Sequence, residues 1–168
     1  SIMTELKNLF YTHECFEVVP KCLHEHVYRN FQVLRSSLFL KEKDTGKIKA
    51  RFVADGRPTK SATKENYSPT LANTTIMDML KIAATQQYHI SALDVGSAYT
   101  NANIDRESYM VAPDYLTEYF LMLDPNIKHS LNRKGQVVLK LNRALYGLAQ
   151  SGLLWNKLLT SHLTALGY

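Results

Sequence analysis

The sequence predicts an α+β fold in which antiparallel strands are packed by helices. A glycine-containing turn at residues 44–46 joins two strand-like segments, which is typical of an antiparallel hairpin. Two later segments, 75–84 and 150–166, repeat apolar residues at helical spacing. With 168 residues and 45% hydrophobic content, the chain can bury a core, as one domain or as part of a larger one.

The first elements are predicted to be short. Residues 4–10 indicate a helix, and residues 16–19 a strand that Pro20 ends because proline has no N–H donor for a ladder. Cys15 and Cys22 are the only cysteines. Their spacing is wider than that of the usual zinc pairs, so we assign Cys15 an ordinary packing role.

The hairpin is predicted from strands at 38–43 and 47–53. Side chains alternate along a strand, so three basic residues share one face and three apolar residues share the other. The basic residues are Lys47, Lys49 and Arg51, and the apolar residues are Ile48, Ala50 and Phe52. The pattern predicts a cationic row backed by core, although a solvated hairpin face would show the same charges.

Residues 56–69 are polar and end in Ser68-Pro69, which indicates a loop. A helix follows, with Thr75 and Asp78 placed as a weak capping box. Its apolar residues fall on one face and are predicted to be core positions. They are Ile76, Met79, Leu80, Ala83 and Ala84.

Asp94 closes the apolar run 90–93, so we predict a strand that ends on a carboxylate. An acid at a strand end can hold a hard cation such as Mg²⁺ with little reorganisation. An isolated Asp there more often caps the following turn. Residues 137–141 predict another strand, and 150–166 a helix that Gly167 ends. His162 lies on the apolar stripe of that helix, so we expect a packed histidine.

The charge balance favours a polyanionic partner, because 20 Lys and Arg against 15 Asp and Glu give +5 and a pI near 9.1. No run has the length of a membrane span, and the first residues lack the regions of a secretory signal. We therefore expect an intracellular protein without a membrane partner.

Four collinear segments resemble the reverse transcriptases of copia-type LTR retrotransposons over roughly residues 16–168. They are Lys49-Ala-Arg-Phe-Val-Ala-Asp-Gly56, Tyr67-Ser-Pro-Thr-Leu71, Leu93-Asp-Val-Gly-Ser-Ala-Tyr-Thr-Asn101, and Ala144-Leu-Tyr-Gly-Leu-Ala-Gln150 with Trp155. The family has Lys-Ala-Arg-Leu-Val-Ala-Lys-Gly, Phe-Ala-Pro-Val, Leu-Asp-Val-x-x-Ala-Phe-Leu-Asn and Ala-Leu-Tyr-Gly-Leu-Lys-Gln-x-x-x-x-Trp. Short motifs recur by chance, but collinear ones over most of a chain are a strong signal.

The resemblance implies reverse-transcriptase-like fingers and a partial palm. Residues 1–72 would be the first part of the fingers and 73–104 the first part of the palm, with the Asp94 strand. Residues 105–149 would be the second part of the fingers, and 150–168 a palm helix. The rest of the palm, the thumb and the RNase H domain would be absent from this sequence.

The resemblance also implies a fragment of an RNA-directed DNA polymerase that transfers nucleotides from dNTPs to a primer 3′-hydroxyl. Asp94 would bridge two Mg²⁺ ions, for which Mn²⁺ is an alternative, and the Val95 carbonyl would add a ligand. Lys49 and Arg51 would hold the triphosphate, Tyr99 would exclude a 2′-hydroxyl, and Gln150 would touch the nucleotide or template. The implied partners are an RNA or DNA template-primer and the rest of the Pol polyprotein, with integrase and RNase H, in cytoplasmic virus-like particles.

Two departures from the family pattern limit this interpretation. The family's other catalytic carboxylates lie in a Tyr-Val-Asp-Asp hairpin that this sequence lacks, so we expect the chain alone to be inactive. Met77, Ala149 and Leu153 stand where the family usually has Arg, Lys and Arg, and lost phosphate contacts weaken nucleic-acid binding. The alternative is a non-catalytic nucleic-acid-binding remnant of a degenerate or captured element.

Overall fold

In the computed structural model, which describes residues 1–57 and 70–167, a five-stranded sheet with the order β1-β5-β4-β2-β3 organises the chain. The strands are β1 (Phe16–Val18), β2 (Val33–Glu42), β3 (Ile48–Ala54), β4 (Asn103–Val111) and β5 (Val138–Arg143). The α-helices are α1 (Ile2–Lys7), α2 (His24–Asn30), α3 (Asn73–Thr85), α4 (Thr117–Leu123) and α5 (Ser151–Ala165). A π-helical segment (Asn8–Thr12) follows α1, and 3-10 turns lie at Lys21–Leu23, Ala98–Asn101, Asp114–Leu116 and Pro125–Ser130. The mixed α/β architecture agrees with the predicted class.

The sequence predicts antiparallel strands, but the start of β2 runs parallel to β4. Val33–Arg35 pairs with Tyr109–Val111 in parallel, whereas Ser36–Glu42 pairs with β3 in antiparallel register. Parallel neighbours need a long crossover connection. The chain between β2 and β4, which includes β3 and α3, supplies that connection.

The predicted hairpin is confirmed, with β2 beginning earlier than expected. Gly46 takes a φ of +73°, and the Lys43 N–H donates to the Lys47 carbonyl at 2.9 Å. The predicted alternation along β3 is confirmed for Ala50 and Phe52, which are buried while Lys49 and Arg51 are exposed. Ile48, which is predicted to lie on the same buried face, is instead 56% exposed near the turn of the hairpin.

The core fills both faces of the sheet. On one face Phe16, Phe52 and Phe120 meet edge to face, with ring centroids 6.1 to 6.3 Å apart, beneath α1 and α4. Such aromatic pairs stabilise a core beyond the area they bury. On the other face Val27 of α2 packs with Val138 in a smaller cluster. Neither α2 nor α4 is predicted from the sequence.

Cys15 belongs to the main core, as predicted, and both cysteines are free thiols. Burial raises the pKa of the Cys15 thiol to about 12. Cys22 is exposed.

The two thiols should therefore react at very different rates with iodoacetamide at pH 8. The thiolate is the reactive form, and at a pKa of about 12 only about one Cys15 thiol in ten thousand is ionised at that pH. Mass spectrometry should find one alkylated cysteine, Cys22, in the native protein and two in 6 M urea. Equal labelling of both in the native protein would contradict the burial of Cys15.

The helix α3 departs from prediction in its start and in its burial. It begins at Asn73 with Ala72 as the N-cap, so Thr75 lies inside the helix and caps nothing. Its predicted core face is exposed except for Ala83, which is half-buried, and Met79 is 59% exposed. Periodicity shows that one face of a helix seeks an apolar partner, but not whether the partner lies in the same chain.

The predicted strand before Asp94 is not formed. Residues 88–95 take no regular structure, and Leu93 is 95% exposed. A strand needs a neighbour for its N–H and C=O groups, and none of the described strands pairs with this segment. Asp94 is therefore not anchored by the sheet.

The last predicted elements are confirmed within two residues, as β5 and α5, and Gly167 follows the helix at a φ of +90°. His162 is not packed, because residues 161–167 are all exposed. Its Nδ1–H donates to the Leu158 carbonyl of its own helix at 3.1 Å. Most of the predicted loop, residues 58–69, lies outside the described residues. No described helix is long and apolar enough to cross a membrane.

Candidate nucleotide-binding site

The end of β3 is joined to residues 144–148 by backbone hydrogen bonds. The Ala54 N–H donates to the Tyr146 carbonyl at 2.9 Å, and the Gly56 N–H donates to the Gly147 carbonyl at 3.2 Å. Gly147 has a φ of +93°, and a Cβ there would lie 1.9 Å from the Ala54 oxygen. Only glycine permits so close an approach. This pairing places the side chain of Tyr146 beside the cationic row of β3.

Arg51, Tyr146 and Tyr99 form one continuous stack, named here the Arg-Tyr-Tyr stack. The Arg51 guanidinium carbon lies 4.4 Å from the centroid of the Tyr146 ring. That ring lies 4.8 Å from the ring of Tyr99, at an interplanar angle of 52°. A guanidinium over an aromatic face gains cation–π attraction and loses some of its freedom to move. The stack brings together two residues that the sequence analysis selected, Arg51 and Tyr99.

Tyr146 is the member that sequence reasoning missed. The available signal was its position directly before Gly147 in the quoted Ala-Leu-Tyr-Gly-Leu segment. A glycine that must come close to another backbone also fixes the side chain beside it. Gln150, chosen from the same segment, is instead only 6% exposed, and its side chain does not cap α5. Its contact with a nucleotide or template stays a prediction.

A short turn positions Tyr99. Ser97 takes a φ of +51°, and its carbonyl accepts a hydrogen bond of 2.8 Å from the buried hydroxyl of Thr100. The Ala144 N–H donates to the Ala102 carbonyl at 2.9 Å, which ties the turn to the segment that carries Tyr146. The tyrosine pair is thus held from both sides by backbone contacts.

Five basic residues, named here the basic ribbon, line the exposed face of the hairpin. They are Lys41, Lys43, Lys47, Lys49 and Arg51. Lys41 lies directly across the ladder from Lys49, where like charges destabilise a sheet. Phe39, opposite Arg51, is 61% exposed on the same face. Repelling lysines beside an exposed aromatic ring are typical of a surface that binds a polyanion.

Asp94 is exposed and forms no hydrogen bond or ion pair among residues 1–57 and 70–167. The backbone between Asp94 and Tyr99 turns through Gly96, whose Cα has open space beside it, and Ser97. The carboxylate is therefore available to an external cation. The structure shows no ion pair between Asp94 and Lys49 or Arg51, and Val95 beside it is also exposed.

The sequence profile of the family described as reverse transcriptase (RNA-dependent DNA polymerase) matches residues 33–168. The chain belongs to this family. It is 33% identical over 134 residues to the Transposon Ty1-BL Gag-Pol polyprotein of Saccharomyces cerevisiae, and 32% identical to the Ty1-DR4 Gag-Pol polyprotein of the same organism. Each alignment covers 79% of this chain but only 7% of the relative. The resemblance to copia-type reverse transcriptases is thus confirmed, and the matches do not favour the alternative of a captured remnant. No solved structure matches the chain significantly.

Asp55 forms an ion pair with Arg57. Copia-type reverse transcriptases usually have Lys at the position of Asp55. The Arg57 Nε–H and Nη2–H donate to its two carboxylate oxygens at 2.8 and 2.9 Å. This fork holds the pKa of Asp55 below its usual value. Arg57 is thereby committed to Asp55, which leaves Arg51 and Lys49 as the better candidates for phosphate contacts.

The donor set fits a divalent cation that arrives with a triphosphate. Mg²⁺ is usually held by one or two carboxylates together with substrate phosphates and water. Asp94 and the neighbouring Val95 carbonyl supply oxygen donors of this kind. The described part of the chain contains no group of three or more His, Cys, Asp or Glu residues that could hold a metal ion. A cation at Asp94 would therefore need ligands from the triphosphate or water.

Proposed function

We propose that this chain is part of an RNA-directed DNA polymerase, which in the complete protein transfers nucleotides from dNTPs to a primer 3′-hydroxyl. The observation that carries the proposal is the Arg-Tyr-Tyr stack beside the basic ribbon. It places a guanidinium held by a ring contact next to two partly exposed tyrosine rings. The family membership supports the same reaction.

The triphosphate would lie against the basic ribbon. The guanidinium of Arg51 can fork onto two phosphate oxygens, and its ring contact with Tyr146 reduces the entropy lost on binding. Lys49 and Lys41 would add point charges, and the bound anion would relieve their mutual repulsion. Phe39 offers a ring on which a base of the template could stack.

The sugar would lie on Tyr99. Its ring packs against that of Tyr146, which restricts its movement away from a 2′-hydroxyl and would favour deoxynucleotides over ribonucleotides. Asp94 and the Val95 carbonyl would hold Mg²⁺, with Mn²⁺ as a substitute, close to the triphosphate. When bound, these ions supply charge stabilisation for the in-line displacement at the transferred phosphate.

We propose that the parent protein is a Gag-Pol polyprotein. The chain spans 7% of the relatives that it matches, and these are Gag-Pol polyproteins. We propose the rest of Pol, with integrase and RNase H, and an RNA or DNA template-primer as its partners. We place the parent in cytoplasmic virus-like particles.

The proposal predicts that Tyr146→Leu weakens binding of Mg²⁺·dTTP to the chain by about twofold to thirtyfold, because Arg51 loses a cation–π contact of about 0.5–2 kcal/mol. Tyr146→Phe keeps the ring and should bind like the wild type. Calorimetric titration measures both, with Tyr11→Leu as a control that removes an exposed tyrosine whose hydroxyl bonds the Leu123 carbonyl outside the stack. Wild-type affinity in Tyr146→Leu would remove the stack from nucleotide binding.

A further inference from the structure

A second basic surface lies in a cleft between α2 and the turn that joins Leu131 to Val137. The cleft has a volume of about 930 Å³. Lys21 and Arg29 line its helical wall, and Arg133 and Lys134 line the wall formed by the turn. It shares no lining residue with the basic ribbon or the Arg-Tyr-Tyr stack. A cleft of this volume is within the usual range for a ligand site.

Most of its positive charge is not neutralised. Arg29 pairs with Glu25 at 2.8 Å, but Lys21, Arg133 and Lys134 form no ion pair with any described residue. Arg133 and Lys134 are neighbours on the turn, and Lys21 lies on the helical wall of the same cleft. Cations gathered around a concave surface create a focused positive potential, which attracts an anionic ligand.

Asn132 organises the turn that carries two of these cations. Its Oδ1 accepts hydrogen bonds from the backbone N–H groups of Lys134 and Gln136, both at 2.9 Å. Its Nδ2 donates to the Gln136 side chain at 3.2 Å and to the Tyr28 hydroxyl at 3.3 Å. The Gln136 amide also donates to Asp114. The two walls of the cleft are therefore linked, and the turn is held in shape before any ligand arrives.

Tyr28 presents a fixed aromatic ring to the cleft. It is 48% exposed, and its ring meets that of His24 in a T-shaped contact, with the ring centroids 6.4 Å apart. His24 is buried, and its Nε2–H donates to the Val19 carbonyl at 3.0 Å. Because the Tyr28 hydroxyl accepts from Asn132, its own proton is free to be donated to a ligand oxygen.

We propose that this cleft binds a segment of single-stranded nucleic acid, apart from the nucleotide-binding site. Phosphates would contact Lys21, Arg133 and Lys134, and a base would stack on Tyr28. The combination of a cationic groove with an exposed ring is the one that single-strand binding surfaces use. An acidic peptide would satisfy the cations but would leave the ring without a planar partner.

The test uses the whole chain and fluorescence anisotropy with labelled twelve-nucleotide oligo(U) and oligo(dT). Arg133→Ala combined with Lys134→Ala removes two proposed phosphate contacts. We expect affinity to fall on the order of tenfold, and the salt slope to fall by about 1.4, because each single-strand phosphate contact contributes about 0.7. Tyr28→Leu should lower affinity with little change in slope, since stacking releases no counterions. If these variants lose affinity equally for oligo(U) and oligo(dT), the cleft contacts the backbone and the bases. If they lose affinity for oligo(U) alone, the cleft also contacts the 2′-hydroxyl.

The matched control is Lys7→Ala combined with Lys157→Ala, which removes the same charge from exposed positions outside the cleft. If this control lowers affinity and slope as much as the cleft variant, only net charge matters and the proposal is overturned. A polyglutamate peptide that binds the cleft as tightly as the oligonucleotides would also overturn it, in favour of an acidic protein partner. Lys41→Ala with Lys49→Ala tests the basic ribbon separately, so failure of the cleft does not affect the proposed polymerase function.

Discussion

Asp94→Asn is expected to reduce Mg²⁺-dependent primer extension at least about a thousandfold in a longer protein that includes the Tyr-Val-Asp-Asp segment. Asparagine keeps the shape of the side chain but removes the charge that would hold the metal ions, and metal chemistry supplies much of the rate of phosphoryl transfer. Single-turnover extension of a labelled primer at saturating dNTP measures the loss.

Asp78→Asn is the control for this prediction, because it removes an exposed carboxylate that pairs with Lys81 on α3. It should extend the primer like the wild type. The chain of 168 residues on its own should give no extension, since one carboxylate cannot hold two metal ions. Near-wild-type activity in Asp94→Asn, or extension by the chain alone, would contradict the assigned role of Asp94.

Gly147→Ala is expected to destabilise the chain by about 3–4 kcal/mol. The added Cβ would lie 1.9 Å from the Ala54 oxygen, so β3 and the segment around Tyr146 must separate. Separation loses two hydrogen bonds, each worth about 1 kcal/mol, and the left-handed backbone costs a further 1–2 kcal/mol for a residue with a side chain. The free energy of unfolding from urea titration measures the change.

Gly46→Ala is the matched control, because Gly46 also has a positive φ, of +73°, but nothing lies within 4 Å of the added Cβ. It should cost only about 1–2 kcal/mol, the cost of the backbone conformation alone. Equal losses in the two variants would show that the close approach of Gly147 to β3 does not matter. Gly147→Ala should also weaken dNTP binding, because the Arg-Tyr-Tyr stack depends on that approach.

The elements predicted correctly are those that local sequence determines. The hairpin of β2 and β3 follows from a turn glycine and from strict alternation of basic and apolar residues. The helix α5 follows from periodicity and from the glycine after it. Strand β4 has no such signal, because its run of Asp105, Arg106 and Glu107 interrupts any alternation, and its place in the sheet depends on pairing with β2 and β5.

The candidate site was predicted only in part, because local sequence patterns do not determine contacts between distant segments. Arg51 and Tyr99 each belong to a recognisable segment, but the contact that joins them runs through Tyr146, which is distant from both along the chain. Backbone pairing between Ala54 and Tyr146 creates that contact, and no local pattern encodes such pairing. The apolar patterns of α3 and of residues 88–95 predict packing partners, but both segments are exposed and the described residues do not cover them.

The central claim is that Asp94, Tyr99 and Tyr146 surround one metal-bound deoxynucleotide. Mn²⁺·dTTP added to the isotopically labelled chain tests it most directly, because the paramagnetic ion broadens the NMR signals of nearby residues. We predict selective broadening of Val95, Tyr99 and Tyr146, which Asp94→Asn should weaken. Broadening confined to other surfaces, such as the turn that carries Arg133, with these three signals unchanged, would contradict the claim.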